Sequence, residues 1–209
     1  MRYVFSALRY ALWAVGNLLR KLRRSPDYVL FILEGAYPEL RAQNAGFIRK
    51  RLFPDRLSLQ VLGEQFQAVQ QDPRVAGVIL HLRSLKLSAA QAQTIRGFID
   101  QMRSSGKRVV AWSTSYDNTR YYIAAAADEV LLQTGGEASP LGVRANFVFL
   151  ADALERAGVK ADFIQISPYK AAADPLMRPN MSDEMREMSN WLIDSYYDEF
   201  IQAIVLGRN

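Results

Sequence analysis

The amino-acid sequence predicts an α/β fold with a mostly parallel sheet built from strand–helix–strand units. Two short apolar runs, at 28–35 and 75–82, lack the alternation of a half-exposed strand, which is typical of strands buried on both faces of a parallel sheet. The segment between these runs and the segment after them place apolar side chains at helical spacing. Strands that alternate with helices form βαβ units, and the strands of such units lie parallel.

The first half of the chain follows this pattern element by element. The segment 36–56 contains prolines, a glycine and five basic residues, so we expect an irregular loop there. Residues 57–72 form one apolar helical face and predict the first helix of the body. Ser88 is a favourable N-cap for the next helix, which Gly106 ends, and the apolar run at 108–113 predicts the strand that follows.

The second half adds three helices, two strands and a loop. The helices are expected at 118–127, at 146–157 and from Ser182 to the C-terminus, and the strands at 129–133 and 161–166. The turn-rich sequence GGEASPLG, residues 135–142, predicts the loop. Gly158 is suited to end the middle helix, and Glu184 and Glu187 favour the start of the last one, since acidic side chains stabilise a helix N-terminus.

The N-terminal segment carries the chain's excess of positive charge. Residues 1–24 hold six of the 26 basic residues and none of the 21 acidic ones, so the remainder is close to neutral. In helical projection the arginines share one side and the leucines the other. Arg9 interrupts an apolar stretch that is already shorter than the roughly 20 residues needed to span a bilayer. We therefore predict an amphipathic helix at the membrane surface, with its arginines on anionic headgroups.

The same pattern also fits a helix packed on the protein's own body or on another subunit, and this alternative stays open. Because the basic charge is confined to one segment, we expect no nucleic-acid partner. We divide the chain into the helix 1–24, a linker 25–56 that contains the first strand, and an α/β domain 57–209. The C-terminus gives no domain-closing signal, which favours a chain that is part of a longer protein.

The composition excludes several classes of chemistry. The sequence has no cysteine, which removes thiolate catalysis and cysteine zinc sites, and its single histidine, His81, argues against a histidine-based triad or metal site. His81 lies in an apolar strand, where we expect a core or edge histidine rather than a base. Phosphate-loop, nucleophile-elbow, zinc-protease and dinucleotide motifs are missing from the sequence, and we expect no cofactor.

Serine, threonine and lysine remain as candidates for catalysis, and Lys170 is the lysine with the most suggestive surroundings. It lies in QISPYKAAADPL, residues 165–176, after an apolar run and before three alanines. A lysine can take the proton of a serine hydroxyl when burial keeps its amine neutral. Small neighbours would let another segment approach, whereas Asp174 would oppose this role by stabilising the charged form. These residues permit a base at Lys170 but do not require one.

A longer pattern gives the lysine a family context. The ordered stretches YYIAAAADEVLLQTGG, PLGV and ADALERAGVKADFIQISPYKAAADPL, followed by MS and a long helix, resemble the S49 family of signal peptide peptidase A, also called protease IV. The resemblance covers about 75–209. It implies a crotonase- or Clp-protease-like α/β fold, a Ser-Lys dyad with Lys170 as the general base, homo-oligomers and peptide substrates. It also implies that remnant signal peptides are degraded at a membrane, for bacteria the inner one, with the side open.

The chain departs from this family where the nucleophile is expected. Single-unit members have a serine in an SGGYY-like stretch, and this chain has DNTRYY, with Asn118 at the serine position and Thr119 and Arg120 at the glycines. The glycine pair of the oxyanion loop is replaced by RSLKLS, residues 83–88. Near the serine that supports the lysine in single-unit members, this chain has Ser139-Pro140.

These departures match the N-terminal half of long, two-half members, in which the C-terminal half supplies the serine and the oxyanion hole. On this hypothesis the fragment alone is inactive, and the serine lies in a half that these residues do not contain. Ser113, Ser115 and Thr119 are weaker candidates, since no oxyanion loop accompanies them. The alternative is a catalytically inactive crotonase-like scaffold in a membrane-linked assembly.

Overall fold

The computed structural model describes residues 27–41, 57–139 and 142–208. Within them, the strands are β1 Tyr28–Gly35, β2 Gly77–Leu85, β3 Arg108–Tyr116 and β4 Glu129–Ala138. The helices are α1 Leu59–Gln71, α2 Ala89–Ser104, α3 Asn118–Ala124, α4 Ala151–Arg156, α5 Asp174–Met177 and α6 Asp183–Arg208, with a 3₁₀ turn at Ala171–Ala173. The predicted helix at 1–24 and most of the predicted loop at 36–56 fall outside the described residues.

The strands form one sheet in the order β1-β2-β3-β4. β1 and β2 pair in parallel with Tyr28 opposite Gly77, and β2 and β3 pair in parallel with Gly77 opposite Arg108. Gly77 is required at this point, because a Cβ there would overlap the carbonyl oxygen of Arg108. The predicted α/β class with a mostly parallel sheet is confirmed.

The chain divides into two compact units. The first contains the described residues up to Thr114 together with Ala127–Gly136, and therefore most of the sheet with α1 and α2. The second contains Ser115–Ala126 and the described residues from Glu137 onward, and therefore α3 to α6. The ends of β3 and β4 belong to the second unit.

The first unit is built on a continuous apolar core. Phe66 of α1 stacks on Phe31 of β1, with ring centroids 4.5 Å apart, and contacts Phe98 of α2. Full burial of an aliphatic or aromatic side chain contributes about 1.5–3 kcal/mol. Among the described residues of this unit, the largest fully buried aliphatic side chains are Leu33, Leu62, Val78, Leu80, Leu82, Ile95, Ile99 and Val109.

Both helices of the first unit begin at a serine, as their sequences favour. Ser58 accepts a hydrogen bond from the backbone N–H of Val61 and starts α1. Ser88 and Gln91 form a reciprocal capping box at the start of α2, in which each side chain accepts from the other residue's backbone N–H. The start of α2 is therefore where the sequence predicts it, and that of α1 lies two residues later than predicted.

The second unit packs α3 against α6. Tyr122 of α3 stacks on Phe200 of α6, with ring centroids 6.4 Å apart. Gly207 lies so close to the carbonyl oxygen of Ala125 that a Cβ there would overlap it. The long C-terminal helix predicted from Ser182 is confirmed. No helix of the described ranges, the 26-residue α6 included, is both long and apolar enough to cross a membrane.

Three expected elements of the second half are wrong or misplaced. Residues 161–166 are not a strand: no described strand pairs with them, and Ile164 and Ile166 are exposed. The helix predicted at 146–157 is limited to Ala151–Arg156, because Leu150 has a non-helical backbone and donates its N–H to the carbonyl of Pro175. An apolar run becomes a strand only beside a partner backbone that can satisfy its N–H and C=O groups.

The third difference concerns β4, which continues through half of the predicted loop at 135–142. It ends at Ala138 instead of 133. Gly136 makes this possible, since a Cβ there would overlap the carbonyl oxygen of Thr114. Of the two glycines that suggested a turn, Gly136 therefore serves close strand packing, whereas Gly135 has a positive φ of 81° with open space around it.

Candidate active site

Lys170, the predicted general base, lies on a short turn between the irregular segment at 161–168 and the 3₁₀ turn Ala171–Ala173. Its backbone N–H donates to the carbonyl of Ser167 at 3.0 Å, and its own carbonyl accepts from Nε2 of Gln165 at 3.2 Å. The next residue, Ala171, is buried, whereas Lys170 itself is exposed. The backbone of the turn is thus fixed while the lysine side chain lies at the surface of the chain.

Asp174, four residues after Lys170, is only 2% exposed. Its carboxylate accepts a short hydrogen bond from Oγ of Ser182, and Nε2 of Gln165 lies 3.5 Å from Oδ1. Nε of Arg178 lies 3.8 Å from the same oxygen. The sequence suggested that Asp174 would hold Lys170 in its charged form, but these contacts instead join it to the start of α6 and to the segment before the lysine.

Tyr169 ties the same turn to α6 at a second point. Its hydroxyl donates to Oε2 of Glu187 at 3.0 Å. That hydrogen bond, together with the negative charge of Glu187, raises the pKa of Tyr169 above its ordinary value. Tyr169 therefore remains a neutral donor at physiological pH.

The turn that follows β3 is where the family resemblance expects the serine nucleophile. Asp117 caps α3 by accepting from the backbone N–H of Arg120 at 2.8 Å, and Asn118 is the first helical residue. The side-chain amide of Asn118 donates to the carbonyl of Gly142. A carboxamide in this position has no ionisable hydroxyl or thiol, so it cannot act as the nucleophile of an acyl transfer.

The weaker serine candidates are held in structural hydrogen bonds. Ser113 is fully buried, and its hydroxyl donates to the carbonyl of Leu82 at 2.6 Å. Oγ of Ser115 accepts from Nη1 of Arg120 at 2.8 Å. Neither environment resembles an exposed nucleophile beside a base.

The segment after β2 replaces the expected oxyanion loop. β2 continues to Leu85, and Arg83 forms an ion pair with Glu34 at 3.0 Å. The backbone N–H of Lys86 donates to the carbonyl of Gly35, and that of Ser88 donates to Oε1 of Gln91. An oxyanion hole needs N–H groups aimed at the developing charge, and these two already have partners within the chain.

His81 occupies the sheet as expected for a core histidine. It is 8% exposed, and its ring lies 4.0 Å from that of Trp112. Burial lowers its pKa below the ordinary value, and the charge of Arg83 acts in the same direction. His81 is therefore neutral at physiological pH and has a packing role.

The site therefore belongs to an α/β domain with a parallel sheet. One helix of this domain starts directly after β3, and the lysine turn is fixed to the long C-terminal helix. Residues 101–209, slightly more than half of the chain, match peptidase family S49. The chain belongs to this family.

Three relatives specify the likeness. Serine protease SPPA, chloroplastic, of Arabidopsis thaliana is 30% identical over 165 residues, which cover 79% of this chain and 24% of the relative. Protease 4 of Haemophilus influenzae is 27% identical over 145 residues, 68% of this chain and 23% of the relative. Protease 4 of Salmonella typhi is 25% identical over 205 residues, 93% of this chain and 33% of the relative. The chain thus spans about a quarter to a third of the length of these relatives.

Sequence reasoning missed the residues that fix the lysine turn. Gln165 was part of an expected strand, Ser182 was recognised only as a helix start, and the contact between Tyr169 and Glu187 joins residues 18 positions apart. None of these pairings has a short-range sequence signal. The one available hint is a charged residue, Asp174, that follows three alanines.

Proposed function

We propose that this chain supplies Lys170 as the general base of a serine peptidase of the Ser-Lys type, and that the nucleophilic serine comes from polypeptide outside these 209 residues. The observation that carries the proposal is the turn after β3. Its first helical residue is Asn118, whose amide is bonded to the carbonyl of Gly142. Membership of family S49 and the length of the relatives, three to four times that of the aligned region, support it.

In the acylation half of this reaction Lys170 acts twice. Its neutral amine takes the proton of the serine hydroxyl as the serine oxygen bonds to the scissile carbonyl carbon. The resulting ammonium then gives that proton to the leaving amine as the C–N bond breaks, and water, deprotonated by the same amine, afterwards hydrolyses the serine ester and returns the proton to the serine. Because Lys170 is exposed in the chain described, the surface that brings the serine must also exclude water from the lysine.

The proposed substrates are the remnants of cleaved signal peptides, and the proposed place of action is a membrane surface. The names of the relatives indicate proteases, one of them SPPA. The amphipathic pattern of residues 1–24 gives a means of attachment, and we propose that the enzyme is a homo-oligomer. Flotation with anionic vesicles tests the attachment: the protein should float, and a variant without residues 1–24 should not. Equal flotation of both proteins would contradict this part of the proposal.

The decisive test of the base is Lys170→Ala in the full-length protein. We expect kcat/KM on a fluorogenic peptide to fall about 10⁴-fold or more, as is usual for loss of a catalytic residue that acts in a unit. Lys160→Ala, which removes another exposed lysine from the same unit, is the matched control and should retain activity. Near-normal hydrolysis by Lys170→Ala would overturn the proposal, and so would hydrolysis by the 209-residue chain alone.

The second candidate is a scaffold without catalytic activity. Two observations favour the scaffold. Lys170 is exposed, whereas a lysine base needs burial to stay neutral. The backbone N–H groups of Lys86 and Ser88 already donate within the chain and do not form an oxyanion hole. The coding sequence after the codon for Asn209 distinguishes the two. A second α/β half with a serine followed by two glycines supports the peptidase, and an immediate stop codon supports the scaffold.

A further inference from the structure

Asp174 is unusual among the acidic residues of this protein. Within the described ranges it is the only buried carboxylate, and Ser182, one of its partners, is also buried. Removing a carboxylate from water is costly unless hydrogen bonds or a counter-charge compensate. The partners of this carboxylate, which lies four residues after the exposed Lys170, therefore bear on how the lysine turn is held.

The carboxylate of Asp174 contacts two segments, the one before Lys170 and the start of α6. On one side, Nε2 of Gln165 lies 3.2 Å from the carbonyl oxygen of Lys170 and 3.5 Å from Oδ1 of Asp174. A single amide group thus bridges the backbone of the lysine and the buried carboxylate. Loss of this amide would remove the side-chain contact between the Lys170 backbone and the segment that holds Asp174.

On the other side, Ser182 links the carboxylate to α6. Its hydroxyl donates to Oδ2 of Asp174 and accepts from the backbone N–H of Met185 at 3.2 Å. The hydroxyl is therefore both the cap of α6 and the anchor of Asp174. α6 is a long helix of 26 residues, and the turn that carries Lys170 is held to its first turn through Asp174 and Ser182.

We propose that Asp174 is the positioning residue for Lys170, acting through Gln165 and Ser182; the inference rests on the proposed role of Lys170 as base. Lysine has four rotatable side-chain bonds, and its amine must come within about 3 Å of the serine oxygen. With a side chain this flexible, the backbone must be fixed if the amine is to return to one place. A displacement near 1 Å can cost about 10²-fold in rate. The contact of Tyr169 with Glu187 assists, but it is exposed and contributes less.

Three substitutions in the full-length protein test this role. Asp174→Asn removes the charge and keeps the shape, Ser182→Ala removes the donor, and Gln165→Met removes the bridging amide at a partly exposed site. We expect kcat to fall about 10- to 100-fold in each, with KM within about twofold, because the base is misplaced while the peptide-binding surface remains. Hydrogen exchange of the amides at 166–173 should become faster.

Two further variants separate positioning from a general loss of stability. Ser182→Thr keeps the hydroxyl and the helix cap, so its kcat should stay within about threefold of that of the parent. Ser189→Ala removes a serine hydroxyl about two turns later on α6. That hydroxyl donates to the carbonyl of Met185 within the same helix, so the variant should leave kcat unchanged.

The outcomes distinguish this inference from the proposed function. If Lys170→Ala is inactive and the Asp174→Asn, Ser182→Ala and Gln165→Met variants keep the parent kcat, Lys170 is the base and the positioning role is overturned. A rise in KM alone, or equal losses in Ser182→Thr and Ser182→Ala, also overturns it. If Lys170→Ala is fully active, the proposed function fails, whatever the other variants show.

Discussion

The two units of this protein bury their apolar side chains to very different extents. In the first unit, side chains such as Ile95 and Leu80 are 0% exposed and lie in a continuous core of sheet and helices. In the second unit, the segment 115–126 is well buried, with Ile123 0% exposed, but among the described residues between 137 and 208 few apolar side chains are buried, and Ile164 is 98% exposed and Trp191 72% exposed. Lys170 belongs to the second unit.

This difference separates the stability of the fold, which depends on the first unit, from the geometry of the lysine turn, which depends on the second. The core of the first unit is stabilised by many packing contacts, so substitutions of its buried side chains should change the free energy of unfolding. The lysine turn of the second unit is fixed by a few polar contacts around Asp174, so substitutions there should change the geometry of the site. The following predictions test that division, beginning with the largest expected effect.

The same substitution at one buried and one exposed isoleucine should separate the units most clearly. Ile95→Ala removes a fully buried side chain and should lower the free energy of unfolding by about 2–5 kcal/mol. Ile164→Ala removes a side chain that is already in water and should change it by less than about 0.5 kcal/mol. Urea denaturation followed by circular dichroism measures both. Equal effects would contradict the comparison.

Two glycines give a matched pair of backbone contacts, one in each unit. A Cβ at Gly77 would overlap the carbonyl oxygen of Arg108 between two paired strands, and a Cβ at Gly207 would overlap that of Ala125. We expect Gly77→Ala to destabilise by about 1–3 kcal/mol, as overpacking usually does. Gly207→Ala should cost less, because the end of α6 can shift. Hydrogen exchange should show faster exchange in β2 and β3 for the first variant and near Ala125 for the second.

At high pH the second unit should be the more sensitive through Tyr116. Burial raises the pKa of Tyr116 to about 12, from an ordinary value of 10.0. The stabilisation that this neutral phenol provides is therefore complete below pH 10 and is lost as the pH rises from 10 to 12. Tyr116→Phe should reduce the slope of unfolding free energy against pH in that window. Some slope should remain, since burial also raises the pKa of Tyr37 in the first unit; an unchanged slope would contradict the assignment.

The smallest of the predicted effects is a loss of stability at low pH that comes from Asp72 in the first unit. Hydrogen bonds from Arg74 lower the pKa of Asp72 to about 2, from an ordinary value of 3.8. Its contribution to stability is therefore present above the ordinary value and lost as the pH falls from about 4 to 2. The pair is exposed, so high salt should weaken the effect. Asp72→Asn should flatten the pH dependence in this range at low salt, and a parent protein with no such dependence would refute the prediction.

The fold of the first unit could be predicted well because its signals are local. Ser88 with Gln91 forms a capping box that is visible in the sequence, and continuous apolar runs mark β1 and β2. The strand expected at 161–166 failed because pairing depends on a neighbouring backbone, which no local pattern shows. The helix predicted at 146–157 also lies in the second unit. It begins only at Ala151, because the backbone N–H of Leu150 donates to the carbonyl of Pro175.

For the candidate site, the sequence predicts Lys170 as the base and Asn118 in place of the serine, both from the family resemblance rather than from local chemistry. It did not identify how the lysine turn is fixed. The contacts of Asp174 with Gln165 and Ser182 join residues that are eight or nine positions apart, at distances that only the folded backbone determines. The role of Lys170 itself stays a prediction until the alanine variant is measured.

The strand order of the sheet has a consequence for how the protein is made. Because β1, β2, β3 and β4 lie side by side in the order in which they occur in the chain, each strand that leaves the ribosome can be added at the free edge of the one before it. No strand has to be inserted between two that are already paired. The strands of this sheet therefore leave the ribosome in the order in which they pair, and the pairing partner of each new strand has already been made.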